Sequence, residues 1–260
     1  MTTTFTPVQQ IPALDRRAAA VLAAAENERF VDVARGLHAD DWSKPTDCPA
    51  WDVRAMASHV LGVMEANASP RVFVHQFRAG KKAAGDRPDI DGMTEVQVRE
   101  RAHLDPAQLV DRLTVMAPKA ARGRKRVPSL LRNAPMKVEV AKVMETWRLG
   151  YLLDTILTRD TWMHRVDISR ATGRELVLTP EHDGRIVADV VAEWARRHGR
   201  PFTLELTGVA GGAFTTGPKN SGPTTGGEAS ESITLDAVEF CRILSGRAAG
   251  AGLLNQEVPF

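Results

Sequence analysis

Apolar residues recur along the chain with a spacing that shifts from helical to strand-like, and that shift orders the predicted elements. Residues 15 to about 35 form an alanine-rich stretch in which Val21, Leu22, Ala25, Phe30, Val33 and Leu37 share one face, predicting a first helix. Residues 38–52 (HADDWSKPTDCPAWD) interrupt it, because Pro45 and Pro49 cannot continue a helix. Asp52 then predicts the N-cap of a second helix reaching to about residue 68, with Trp51 and Met56 at the two positions of a hydrophobic staple. Its stripe is Val53, Met56, Val60, Val63 and Met64, and His59 lies three after Met56 and four before Val63, on the same inward face. Residues 71–104 mix glycines with charge and predict mostly loop with some helix. Asp105 and Pro106 start a third helix through Leu109, Leu113 and Met116. The basic run KAARGRKR, residues 119–126, predicts a solvated surface loop amid Pro118, Pro128 and Pro135.

A long helix is predicted from about residue 148 to 172, closed by Gly173. Its stripe runs Leu149, Leu152, Leu153, Ile156 and Leu157, then Ile168 and Ala171. Between them the same stripe carries Asp160 and His164, where a plain core helix would place aliphatic residues. Beyond Gly173, Thr179 and Pro180 start a helix with Ile186, Val187, Val190, Val191 and Trp194 on one face, ended by Gly199. Alternation over 203–207 and 232–235 predicts strands separated by a Gly/Ser/Thr/Pro-rich loop, 208–230. Asp236 caps a short helix, AVEFCRILSG, and the tail GLLNQEVPF predicts an edge strand. The fold class expected is two-domain α+β: a helical bundle over 1–175 and a small α+β domain over 176–260.

Composition narrows the functional classes. The chain has 260 residues, 43% hydrophobic and 25% charged, with a net charge of +2, a globular composition with no field that would steer it to nucleic acid or anionic lipid. The basic run lacks the interleaved aromatics of a nucleic-acid surface. No apolar run is long enough to span a bilayer, and residues 1–15 lack a secretory pattern and predict a loose lead-in. Cys48 and Cys241 stand far apart without a CxxC, which argues against a disulfide framework or a thiolate zinc site and for a reducing, cytoplasmic compartment. A monomer or homodimer that meets small molecules, and neither nucleic acid nor membrane, is the expectation.

Burying a carboxylate and an imidazole in an apolar stripe costs several kcal/mol unless they are paired or bind a metal. Asp160 and His164, spaced i,i+4, point their heads to one side of the helix, and His59 offers a third donor from another helix. Two imidazoles and a carboxylate suit a catalytic first-row metal site with an open position. The residues also allow a hydrogen-bonded Asp160–His164 pair with His59 a satisfied core histidine. Asp167 is a candidate acceptor orienting an imidazole, or a salt-bridge partner of Arg165 or Arg170. His38, His75, His103, His182 and His198 are expected at the surface.

The stretches WSKPTDCPAWDVRAMASHV, RDTWMHRVDISRATG and FCRILSGRAAGAGLL resemble the mycothiol-dependent maleylpyruvate isomerase family over about residues 15 to 255. The resemblance implies a DinB-like four-helix bundle followed by a sterol-carrier-like domain. It implies a divalent metal, usually zinc, held by His59, Asp160 and His164, and mycothiol as thiol cosubstrate. It also implies an arginine from the second domain as anchor for a substrate carboxylate, Arg247 matching best and Arg242 competing. The family prototype carries Glu where this chain has Asp160, a side chain one methylene shorter, and the family often has glycine where Ala50 follows CP. The activity implied is isomerisation or thiol transfer on a small anionic electrophile. Competing readings are a non-catalytic binder of a small ligand or lipid, which needs a roomy apolar cavity within 180–260, and a DinB-like metalloprotein of other activity.

Overall fold

The computed structural model describes residues 4–140, 143–216 and 230–260. In chain order the elements are β1 (Thr6–Pro7), α1 (Arg16–Arg35), α2 (Val53–Ala68), α3 (Pro70–Ala84), α4 (Asp89–Arg99), α5 (Pro106–Arg126) and α6 (Ser129–Arg132). There follow β2 (Pro135–Val140), β3 (Val143–Arg148), α7 (Leu149–Tyr151), a π-helical segment (Leu152–Ile156), α8 (Leu157–Thr172), α9 (Asp183–His198), β4 (Phe202–Thr207), β5 (Gly212–Thr215), β6 (Glu231–Asp236) and α10 (Ala237–Leu244). Two compact units result. One runs Asp15–Leu176, and the other joins the segment up to Leu14 to Val177–Pro259. The fold is thus two-domain α+β, a helix-rich unit and a small sheet unit.

In the helical unit α1 and α2 each pack on α5 and α8, forming a four-helix bundle around Phe30, Met56, Val60, Leu61, Leu109, Leu113 and Ile168. Local chemistry sets the helix starts. Asp15 accepts from the Arg17 and Ala18 amides, Asp52 from the Ala55 amide, and Asp105 forms a reciprocal capping box with Gln108. The face that α1 buries differs from the expected one. Val21 is 64% exposed, while Glu26 and Asn27 are buried. They are tolerated inside because Glu26 pairs with Arg165 of α8 at 2.9 Å and Asn27 donates to the Ala117 carbonyl of α5 at 3.3 Å.

Two further expectations are corrected in this unit. Residues 71–104, read as mostly loop, form the hairpin α3–α4. Gly80 and Gly92 are points of close approach, since a Cβ on Gly92 would overlap the Gly80 carbonyl. The run 119–126 is the last two turns of α5 rather than a solvated loop. Pro118 removes one donor inside the helix, but Ala117 and Ala120 stay buried against the bundle, and so does Arg124. The alternating segment PMKVEV forms β2, antiparallel to β3 with Met136 opposite Trp147.

The sheet unit has strand order β1-β5-β4-β6, with β4 antiparallel to β5 and parallel to β6. Helices α9 and α10 pack against it, and Trp194, Phe202 and Phe240 meet at its centre with ring separations of 4.7 and 5.4 Å from the tryptophan. The lead-in is not loose throughout, because Thr6 and Pro7 pair in parallel with Phe214 and Thr215. Helix α9 starts at Asp183, with Thr179 and Pro180 in the preceding turn, where the Thr179 amide donates to Asp183 Oδ2 at 2.6 Å. Within the expected loop 208–230 lies the strand β5, and residues 217–229 of that loop fall outside the described residues. The tail is a 3-10 turn, Gly252–Asn255, and not an edge strand; it presents the Leu253 carbonyl to Trp194 Nε1 at 3.0 Å. Gly173 and Gly199 end their helices with φ of 70° and 66°, a left-handed conformation that favours glycine.

Candidate metal centre

His59 stands in the second turn of α2, one of the most completely buried stretches of the chain, and Asp160 and His164 face it from the first two turns of α8. Asp160 sits between the two imidazoles. Its Oδ2 is 3.4 Å from His59 Nε2 and its Oδ1 is 3.2 Å from His164 Nε2, and one ligand atom from each residue lies within 4.8 Å of the others. Both histidines are buried, and the carboxylate side chain is 21% exposed.

A tetrahedral ion with bonds of about 2.0–2.1 Å separates neighbouring ligand atoms by about 3.3–3.4 Å, so these spacings fit a first-row cation. The polar accounting agrees. Both ring nitrogens of His59 and Oδ2 of Asp160 are buried with no hydrogen-bond partner, an expensive state for protein alone and the expected one for groups whose lone pairs serve a cation.

His164 also meets a second carboxylate: its Nδ1–H donates to Asp167 Oδ2 at 3.2 Å, so that loss of the other ring proton would leave Nε2, which faces Asp160, as the donor atom. Asp167 is fully buried, and Cys48 Sγ approaches the same oxygen at 4.0 Å. Nearby, Arg165 pairs with Glu26 and Arg170 with Asp47. Burial pushes the His164 pKa down, but Asp160 and Asp167 outweigh it and raise it to about 9. Burial pushes Asp160 up, and the flanking imidazoles win again, holding it well below the usual carboxylate range.

Trp51 completes the site. The loop before α2 is tied by a Pro45–Asp52 bridge and by Thr46 Oγ1 donating to the Trp51 carbonyl at 2.8 Å. It lays the indole 4.9 Å from the His59 ring and 5.8 Å from the His164 ring.

A family model described as the mycothiol maleylpyruvate isomerase N-terminal domain matches residues 23–169, more than half of the chain and all three converging side chains. The chain belongs to this family. Among curated proteins, an uncharacterized Mycobacterium tuberculosis protein, found in strains CDC 1551 / Oshkosh and ATCC 25618 / H37Rv, is 24% identical over 236 residues, covering 86% of this chain and 83% of its own. Two solved structures share the fold: the mycothiol-dependent maleylpyruvate isomerase (TM-score 0.55, 14% identity, 95% of this chain and 94% of that chain) and a histidine-to-alanine mutant of it (TM-score 0.55, 13% identity, 94% and 93%).

Outside the converging triad, Arg242 pairs with Glu239 at 2.5 Å within α10, and Arg247 follows that helix, its amide donating to the Arg242 carbonyl at 2.9 Å. His182, expected at the surface, is buried. Trp51 was legible only as a staple residue, and Arg124 was hidden in a run whose composition reads as surface. No helix among the described residues is long and apolar enough to cross a membrane.

Proposed function

We propose that this chain is a metal-dependent, mycothiol-using isomerase or thiol transferase acting on a small, anionic, electrophilic substrate. The observation that carries the reading is the meeting of His59, Asp160 and His164 at metal-ligand spacing, with the ring nitrogens of His59 and Oδ2 of Asp160 buried without a hydrogen bond. A divalent ion, zinc by the donor set, would supply a Lewis acid that lowers a bound thiol's pKa, so that thiolate is available at neutral pH. Three protein donors leave a coordination position open for that thiol. Asp167 holds His164 in the tautomer that ligates, and Trp51 covers one side of the ring pair.

The reaction class follows from thiolate chemistry. Sulfur adds to one carbon of an activated cis double bond, and the π pair moves onto the conjugated carbonyl. The carbon–carbon bond, now single, rotates. The pair then returns, the carbon–sulfur bond breaks, and thiolate leaves behind the trans product. Arg247, which lines a crevice of about 390 Å³ in the sheet unit with Ile243, Leu254 and Glu257, is the proposed anchor for the substrate carboxylate.

Metal analysis of the purified protein tests the reading first, with about one zinc-like ion per chain expected and loss of that ion in His59→Ala. Mycothiol is then expected to raise the melting temperature of the metal-loaded form alone, and maleylpyruvate to isomerise only with both present. Metal-free wild-type protein overturns the proposal; metal without thiol dependence favours a DinB-like metalloprotein of other activity.

A further inference from the structure

The helix that carries Asp160 and His164 is not entered regularly. Over Leu152–Ile156 the chain is π-helical, and the Leu157 amide donates to the Leu152 carbonyl five residues back. Such a turn holds one residue more than an α-turn, so side chains after it are rotated by roughly 100° relative to a continuous helix. The Leu157 amide, which an α-helix would bond to the Leu153 carbonyl, goes to Leu152, and the Leu153 carbonyl accepts from the guanidinium of Arg124.

Arg124 comes from the last turn of α5 and is buried. The same Nη2 donates to Thr158 Oγ1 at 2.8 Å, two residues before Asp160. A second buried arginine, Arg132 of α6, braces the arrangement by donating to the Arg124 carbonyl at 3.1 Å and pairing with Asp154 inside the π segment. Burial pushes Arg124 down to about 10, with Asp154 and Asp160 opposing, so it stays charged at neutral pH.

A buried cation on a carbonyl and a hydroxyl is a costly way to fill space. If packing were all the position needed, an apolar side chain of similar volume would serve at lower desolvation cost. The positive charge meets a carbonyl within the irregular turn that directly precedes Asp160 and His164.

We propose that Arg124 is a positioning residue for the metal centre: its guanidinium locks the π-helical entry to α8 and so holds the turn that presents Asp160 toward His59 and His164. This rests on the metal reading above. It adds that the ligand geometry is set from α5, a helix that contributes no ligand.

The test uses Co²⁺ as probe in the full-length protein, reading dissociation constant and the intensity of the visible d–d bands. Arg124→Met is expected to weaken Co²⁺ about 10–100-fold, the range found when groups supporting metal ligands are removed, and to alter band intensity as Asp160 moves. Thr158→Val, which removes one acceptor without burying a new gap, is expected to shift both in the same direction by less, and Arg124→Lys to recover part of the affinity. Arg101→Met breaks the buried Arg101–Glu65 pair elsewhere in the unit and is expected to lower stability while leaving Co²⁺ affinity and spectrum unchanged. If Arg124→Met does not fold, Thr158→Val decides. Wild-type affinity and bands in Thr158→Val and in folded Arg124→Met overturn the inference while leaving the metal reading standing. Failure of the wild type to take up Co²⁺ overturns the metal reading and this inference with it.

Discussion

Changing pH from 6 to 8 is expected to strengthen metal binding about 100-fold, and His164 is the reason. In the metal-free protein its pKa is raised to about 9, because Asp160 and Asp167 stabilise the imidazolium more than burial opposes it. At pH 7 about one molecule in a hundred therefore carries the neutral ring that can ligate. An ion must displace the proton, so each unit of pH below about 9 costs about 1.4 kcal/mol, a factor of ten in affinity, and the dependence flattens above 9. Metal-free stability runs the other way. The folded pKa lies above the reference value of 6.5, so this contribution is full below pH 6.5 and is lost as pH rises through about 9. Its size is on the order of 3 kcal/mol. Isothermal titration in buffers of different ionisation enthalpy should show His164 releasing close to one proton per ion at pH 7, and denaturant titrations of the metal-free protein should show stability falling between pH 6.5 and 9. A metal affinity that is flat between pH 6 and 8, with no proton release, would refute the coupling of His164 to the site.

Asp167→Asn should weaken metal binding about 10–100-fold and make its pH dependence shallower, measured by competition with a chelating dye, because the amide orients the His164 ring less firmly and no longer supports its charge. Co²⁺ should quench tryptophan fluorescence in the wild type, and Trp51→Phe should lose most of that quenching, since the Trp51 ring lies 4.9 Å from that of His59. Gly92→Ala should lower stability by about 1–3 kcal/mol or more in urea titrations, because the added Cβ overlaps the Gly80 carbonyl where α3 crosses α4, and should leave Co²⁺ affinity unchanged.

Helix starts and stops were legible because they are local chemistry. Asp52, Asp105 and Asp236 cap through amides two or three residues away, and Gly173 and Gly199 supply the left-handed φ at two helix ends. The candidate ligands were legible for the same reason, as polar heads at helical spacing on faces otherwise apolar. The errors fall where one segment's meaning depends on another. Gly80 and Gly92 read as breakers until the two helices are seen to touch, and the basic run 119–126 reads as surface until Arg124 finds the Leu153 carbonyl. Val21 and Glu26 exchange their expected places because α8 supplies Arg165 as a buried partner.

Spacing along the chain determines which side chains share a helix face, since 3.6 residues per turn is a property of the backbone itself. It sets neither the rotation of that helix against its neighbours nor the partner each buried polar atom meets. Those were decided only in the folded bundle, where the π segment turns α8, Asp167 meets the His164 imidazole, and Trp51 settles over both imidazoles. Desolvation is what makes that choice binding: once water is excluded, each buried charge must be answered by a specific group, and only tertiary contacts can bring that group within reach.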